Sequence, residues 1–394
     1  MKKVVLGKEL VIGLASILLA SCGGGGGGGS GSVGVTPSGG GTSSGGGTGQ
    51  TTPTCPTGQT WNGTQCVCPS NDMLVNNQCI PINTSTAYIP IYEEQGYFNA
   101  PVTSITLNGN VINNVALDTG QGGGLVVAGT SISNGNYGVN TGQSCSGQYG
   151  GGQYFNGQIY SATVCVGGLC TTMNYCVQTN GDAFSSTSGY AGDLGIGCST
   201  AGYSAGTPCF PALLGYNHYS FSFISLTNNA ENVSSSTPIG YLILGGSVNG
   251  NYTTISYNGY NATMYSPSAI SSSVSYSAMF DTGTWGYLSF GPLLQQLPNW
   301  SSSSSQYLDN CYVKSGYTLY FSNTNSNLYL FSLTTYDPNQ SGYGNLINNL
   351  VCYAGAPSAG LINFEIFGLP FFFTHQVEYD LDQNGITYQL KVSN

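Results

Sequence analysis

Two short stretches could do chemistry together. "NVALDTGQGGGLVV" holds Asp118-Thr119-Gly120, and "SAMFDTGTWGYLSF" holds Asp281-Thr282-Gly283, 163 residues further on. In both, apolar residues lead into the triplet and apolar residues follow it. A single Asp-Thr-Gly is weak evidence, because these residues are ordinary turn formers. Two copies in matched settings suggest two halves of one site. Carboxylates within hydrogen-bond distance of each other cannot both ionise, so they share a proton and titrate as a pair. One member can then take a proton from a water while the other donates to a carbonyl oxygen, which hydrolyses an acyl bond without a covalent intermediate. Gly120 and Gly283 would let the backbone pass close to the acids, and Thr119 and Thr282 could bond across a pseudo-twofold axis.

Such a site needs rigid elements to hold it. From about Tyr88 onward the chain consists of short apolar runs broken by Gly, Asn and Ser, among them "VTSITLNG", "LVVAG", "ATVCVGG", "YLILGG", "TLYFSN" and "HQVEYDL". That pattern predicts a mainly β domain, with "GPLLQQLPNW" (291–300) the one stretch of helix-like spacing.

Residues 88–394 resemble a pepsin-family (A1-like) aspartic protease. "QYGGGQYFNGQIYSATVCVGG" resembles the flap hairpin, with Tyr149 and Gly150 where the flap closes over substrate. "GDLGIG" (192–197) resembles the hydrophobic-hydrophobic-Gly strand that supports the first aspartate. "YSFSFISL" and "YLILGG" resemble the strands closing the first lobe, and "FDTGTWGYLSFGP" keeps the spacing to Gly291-Pro292. "IFGLPFFFTHQVEYDLDQNGITYQL" resembles the closing segment. The resemblance implies an all-β, bilobed fold with lobes at 84–246 and 247–394, a peptide substrate bound as a strand, and a Cys311–Cys352 disulfide. It also implies a preference for apolar residues beside the cut, no cofactor and no metal. The chain departs from the family at Gln121, where a Ser or Thr hydroxyl usually bonds the first aspartate; the second copy keeps it as Thr284. The Gln121 amide could replace that donor. The aromatic that usually supports the flap tyrosine appears as Leu125. With both aspartates kept, a perturbed protease is expected, and the rival is a weak or inactive surface protein that binds peptides or glycans.

The N-terminus predicts an address. Lys2, Lys3 and Lys8 precede an apolar run from Leu10 to Ala20, and Leu19-Ala20-Ser21-Cys22 resembles a bacterial lipoprotein signal (1–22) in which Cys22 carries lipid. Residues 23–54 are nearly all Gly, Ser and Thr, a flexible tether. The expected product is a monomer outside the cytoplasm, lipid-anchored to the outer membrane or cell surface. Charged residues make up only 5% of the chain. Beyond Cys22 only Lys314 and Lys391 are basic, which excludes a nucleic-acid partner. A surface of neutral hydroxyls and amides loses little when carboxylates protonate, which points to an acidic habitat.

Setting Cys22 aside leaves an even twelve of the 13 cysteines, so six disulfides are expected in an oxidising compartment. Cys55, Cys66, Cys68 and Cys79 fall in a module at 55–81 too small for its own core, a spacer or a binding knob. Their three possible pairings stay open, as do the fifteen among Cys145, Cys165, Cys170, Cys176, Cys198 and Cys209. Zinc is disfavoured by C-x10-C-x-C-x10-C spacing without a nearby His. His218 and His375 read as packing or surface residues, since no nucleophile-elbow motif accompanies them. Glu93, Glu94, Asp380 and Asp382 read as solvated acids without calcium-site spacing. The glycines at 122–124 and 150–152 lack the Lys of a phosphate loop.

Overall fold

The computed structural model describes residues 53–75, 77–93, 101–149, 153–184, 189–199, 208–223, 237–258, 261–265, 275–283, 287–289, 310–311, 318–323, 329–334, 352–353, 364–372 and 375–393. The stretch at 291–300, the lipid-attachment candidate Cys22, and Gly150, Thr284, Glu94 and Lys314 lie outside them.

The small module consists of two hairpins, β1 (Thr60–Trp61) with β2 (Cys66–Val67) and β3 (Asp72–Val75) with β4 (Gln78–Pro81). Disulfides Cys55–Cys66 and Cys68–Cys79 staple it. It is docked on the main body rather than standing free of it. Met73 and Val75 are buried in the main core, where Gly385 and Ala212 lie close by. Alternation explains this docking: Met73 and Val75 share one buried face of β3, with Ile80 opposite Met73 on β4, and that face packs on the main body.

The first half is a closed ring of strands. β5 (Ala87–Glu93), β6 (Pro101–Leu107), β7 (Asn110–Asp118), β8 (Gly124–Ala128), β9 (Val139–Gln148), β10 (Tyr154–Val166), β11 (Leu169–Gly181) and β12 (Gly192–Gly195) follow in chain order. The ring runs β6, β7, β12, β8, β11, β10 and back to β6. β9 folds onto the first part of β10 as a hairpin above the ring. Along β10, Phe155, Gly157 and Ile159 turn inward between exposed neighbours, the period of two that the sequence announces. Cys145–Cys176 ties the hairpin to β11, Cys165–Cys170 crosses the β10–β11 turn, and Cys198–Cys209 closes the loop after β12.

The first half ends with β13 (His218–Phe223) and β14 (Gly240–Leu244), and the second adds β15 (Tyr252–Asn258), β16 (Asn261–Tyr265), β17 (Ser275–Phe280), β18 (Tyr287–Ser289), β19 (Asn310–Cys311), β20 (Thr318–Asn323), β21 (Tyr329–Thr334), β22 (Cys352–Tyr353), β23 (Phe364–Phe367), β24 (Val377–Leu381) and β25 (Thr387–Ser393). β5, β14, β13, β24, β25 and β15 form one antiparallel sheet that draws on both halves. The two candidate lobe-closing strands, β13 and β14, therefore lie in this shared sheet. Around each Asp-Thr-Gly the pairing repeats: β12 runs parallel to β7 and antiparallel to β8, as β23 does to β17 and β18. β19 and β22 bring Cys311 opposite Cys352 in backbone register; their side chains lie outside the described residues.

Asp380 is not a solvated acid. It is buried in the shared sheet, where Lys391 lies 3.0 Å from it and 2.6 Å from Glu378. Glu378 also accepts the Val248 N–H, at the passage between the halves. Burial opposes charge on Glu378, but Lys391 and Val248 outweigh it and hold its pKa below the usual carboxylate range. Burial and the neighbouring Glu378 push Asp380 up.

Candidate active site

β7 ends at Asp118, and β17 ends one residue before Asp281. Both aspartates are fully buried, and one backbone donor links them: the Gly120 N–H lies 2.7 Å from Asp118 Oδ1 and 3.2 Å from Asp281 Oδ1. The Gly283 N–H donates to Asp281 Oδ1 at 2.8 Å. A Cβ on Gly120 would stand 2.5 Å from the Asp281 carboxyl carbon, and one on Gly283 would stand 2.6 Å from that of Asp118. Each triplet's glycine is therefore required by the other triplet's acid.

The threonines cross the axis as expected. Thr119 Oγ1 accepts the Thr282 N–H at 2.9 Å, and Thr282 Oγ1 accepts the Thr119 N–H at 3.1 Å. Each hydroxyl in turn donates to a carbonyl of the opposite half, Thr119 to Phe280 and Thr282 to Leu117. Beneath them Tyr219 and Tyr379 stack at 4.9 Å on neighbouring strands. Their hydroxyls donate to the carbonyls of Ile196, just after β12, and Phe280, at the end of β17, which ties both segments to the shared sheet.

Gln121 does not replace the missing hydroxyl in the expected way. Its backbone N–H donates to Asp118 Oδ1 at 3.1 Å, but its side-chain amide donates to the Gly123 carbonyl and its Oε1 accepts from the Tyr149 hydroxyl at 3.4 Å. The side chain lies along β12, where Gly195 makes the space: a Cβ there would fall 2.6 Å from Gln121 Cγ. Tyr149, at the end of the hairpin, is buried against Phe155 and Phe184, each at 5.8 Å. Leu125 does not stand in for the aromatic support. It faces the ring interior, paired with Leu194, in a different apolar cluster from Tyr149.

The sequence reading missed Asp193, the second residue of "GDLGIG". It is buried, its register partners on β7 and β8 are Ala116 and Val126, and both of these belong to the apolar cluster under Tyr149. Burial raises its pKa to about 7; the Asp281 charge adds to the shift, and interactions with Tyr149 and Asp118 oppose it in part. The available signal was an acid where a hydrophobic residue was expected.

Of the other candidates, His375 stacks on Phe371 at 4.3 Å, and burial lowers its pKa. His218 meets Asn217. Neither lies in the dyad.

No family model matches the sequence, and no curated protein matches it at a significant level. Among solved structures the fold is similar to the aspartic proteinase from Irpex lacteus, with a TM-score of 0.58, 16% identity, and coverage of 79% of this chain and 97% of that one. At that identity the likeness speaks for fold alone: the chain has the all-β, bilobed, pepsin-like aspartic proteinase fold, preceded by a small disulfide-rich module.

Proposed function

We propose that the protein is an aspartic endopeptidase in which Asp118 and Asp281 activate a water for attack on a peptide carbonyl. The observation that carries this reading is the single Gly120 N–H shared by both carboxylates, under a threonine lattice that fixes them. One carboxylate takes the water proton while the partner, holding the shared proton, gives it to the carbonyl oxygen. The tetrahedral intermediate then collapses as the amine leaves with a proton. Gly120, Gly283 and the Gln121 N–H orient the carboxylates, Thr119 and Thr282 lock them, and Thr284 tunes Asp281. An extended peptide lies beneath the β9–β10 hairpin, where Tyr149 closes over it; Gly150, the other flap candidate, lies outside the described residues. Tyr149, Phe155 and Phe184 pack in one buried apolar cluster at the end of the hairpin, and the preference for apolar residues at the cut is carried by the pepsin-like resemblance. Anchoring through Cys22 and the tether would display the enzyme on the cell envelope, and disulfides such as Cys145–Cys176 suit that compartment.

The test is cleavage of a denatured protein at about pH 3–4 by the wild type, Asp118→Asn and Asp281→Asn, with and without a transition-state peptide inhibitor. Wild-type cleavage that the inhibitor blocks, with a loss of about 10³-fold or more in each variant, supports the reading. No wild-type cleavage anywhere on the acid side overturns it and leaves a peptide- or glycan-binding protein.

A further inference from the structure

We propose that the Gln121 side chain is the latch of the β9–β10 hairpin, a positioning residue that ties the loop of the first acid directly to Tyr149. The idea rests on the dyad reading above and concerns how the same site is closed.

The path of the side chain comes first. Gln121 is fully buried, and its backbone N–H serves Asp118. The side chain runs across β12 at Gly195, where a Cβ would fall 2.6 Å from Cγ and 2.8 Å from Nε2. Gly195 is the register partner of Gly124 on β8, so two adjoining positions carry no side chain. A buried amide must find partners at both ends. A carbonyl oxygen only accepts, so the Nε2 end is fixed on the Gly123 carbonyl at 3.4 Å. Oε1 is then left to accept from the Tyr149 hydroxyl, also at 3.4 Å. The orientation of the amide thus follows from its surroundings.

Tyr149 completes the link. Its N–H donates to the Gln153 carbonyl at 2.7 Å and closes the hairpin end, while its ring packs on Phe155 and Phe184. Those contacts hold the ring on the hairpin side; the hydroxyl is what reaches the acid-bearing loop. The Asp193 carboxyl also interacts with this hydroxyl and is the rival acceptor for its one proton. Bonds of 3.4 Å between neutral groups are long and contribute modestly. Such a latch biases the hairpin toward closure and still lets it lift for a peptide. The residue after the second triplet, Thr284, has a shorter side chain, so the longer reach belongs to the first triplet.

The experiment measures backbone amide exchange by NMR in the substrate-free full chain for wild type, Gln121→Met, Tyr149→Phe and the double variant. Each single change should speed exchange at the hairpin end, the Tyr149 N–H included, by about 3–10-fold, while amides of β24 and β25 keep wild-type rates. Both changes cut the same bond, so the double variant should exceed either single by less than about 2-fold. In cleavage assays Gln121→Met should raise KM more than it lowers kcat. Unchanged hairpin exchange in Gln121→Met overturns the proposal, and a rise in Tyr149→Phe alone would assign the hydroxyl to Asp193. Single effects that multiply in the double variant overturn it as well. Should Gln121→Met fail to fold, Gln121→Asn, which keeps an amide but falls short of the tyrosine, is read in its place. In the wild type a nuclear Overhauser contact between the Gln121 side-chain amide and the Tyr149 ring must be present, and its absence overturns the proposal by itself. A wild type that cleaves nothing counts against the protease reading, and the exchange data would still decide the latch.

Discussion

At the residue scale, the two glycines of the dyad are fixed by atoms from the opposite half of the chain. Gly283→Ala would push a methyl group to 2.6 Å from the Asp118 carboxyl carbon. The expected cost is about 1–3 kcal/mol of stability and at least about 10²-fold in activity, read by denaturant unfolding and by peptide cleavage. Asp193 makes a separate prediction about pH. Its folded pKa, about 7, lies above the ordinary aspartate value near 3.9, so between the two the folded state holds the extra proton. Stability then falls as pH rises through that window, and a penalty on the order of 4 kcal/mol is fully present above about pH 7. Unfolding by urea at pH 4 and pH 7.5 should show Asp193→Asn less affected by the higher pH than the wild type; identical pH dependence would sink the idea. Asp118 and Asp281 were legible in the sequence because they come as twins. Asp193 was not, because one acid in a short apolar run reads as an interruption, and only its burial and register reveal what it faces. The direction of Gln121 was also hidden, since it depends on the missing side chain of Gly195, a neighbour only in the folded chain.

At the element scale, the β9–β10 hairpin is held at its base and closed at its end. Cys145–Cys176 pins β9 to β11, while Tyr149 packs on Phe155 and Phe184. Converting both Cys145 and Cys176 to Ala should cost about 4 kcal/mol by the chain-entropy argument. It should also raise KM more than it lowers kcat, because a looser hairpin weakens the hold on a bound strand. Calorimetry and cleavage kinetics check the two parts. Strand positions were readable from alternation, most clearly in β10. Cysteine partners were not, because pairing depends on register: Cys165 and Cys170 face each other only once the β10–β11 turn is set. The module misled for a related reason. Its staples were visible, but the face formed by Met73 and Val75 gains its meaning from the body it covers.

At the scale of the whole molecule, a chain with so few charges places the ion-pair cluster found among the described residues where its halves meet. Lys391→Ala would leave Glu378 and Asp380 side by side without their cation, at a cost of about 2–4 kcal/mol near neutral pH. Glu378 has a lowered pKa, so its contribution is present above the ordinary glutamate value and fades as pH falls through the folded one. The penalty for Lys391→Ala should therefore shrink toward pH 3, and melting temperatures across pH 3–7 measure it. The bilobed architecture was legible from the doubled motif and its resemblance. The shared six-stranded sheet was not, because its strands come from both ends of the chain and no local pattern announces their pairing. The repeat also has a consequence for direction. Two acids related by a twofold axis cannot distinguish an extended peptide from the same peptide laid end for end. Here one hairpin covers one side, and one strand carries Asp193 where its twin carries Ile366. On the proposed reading the cleft then has a front and a back, and a peptide entering it would be read in only one sense.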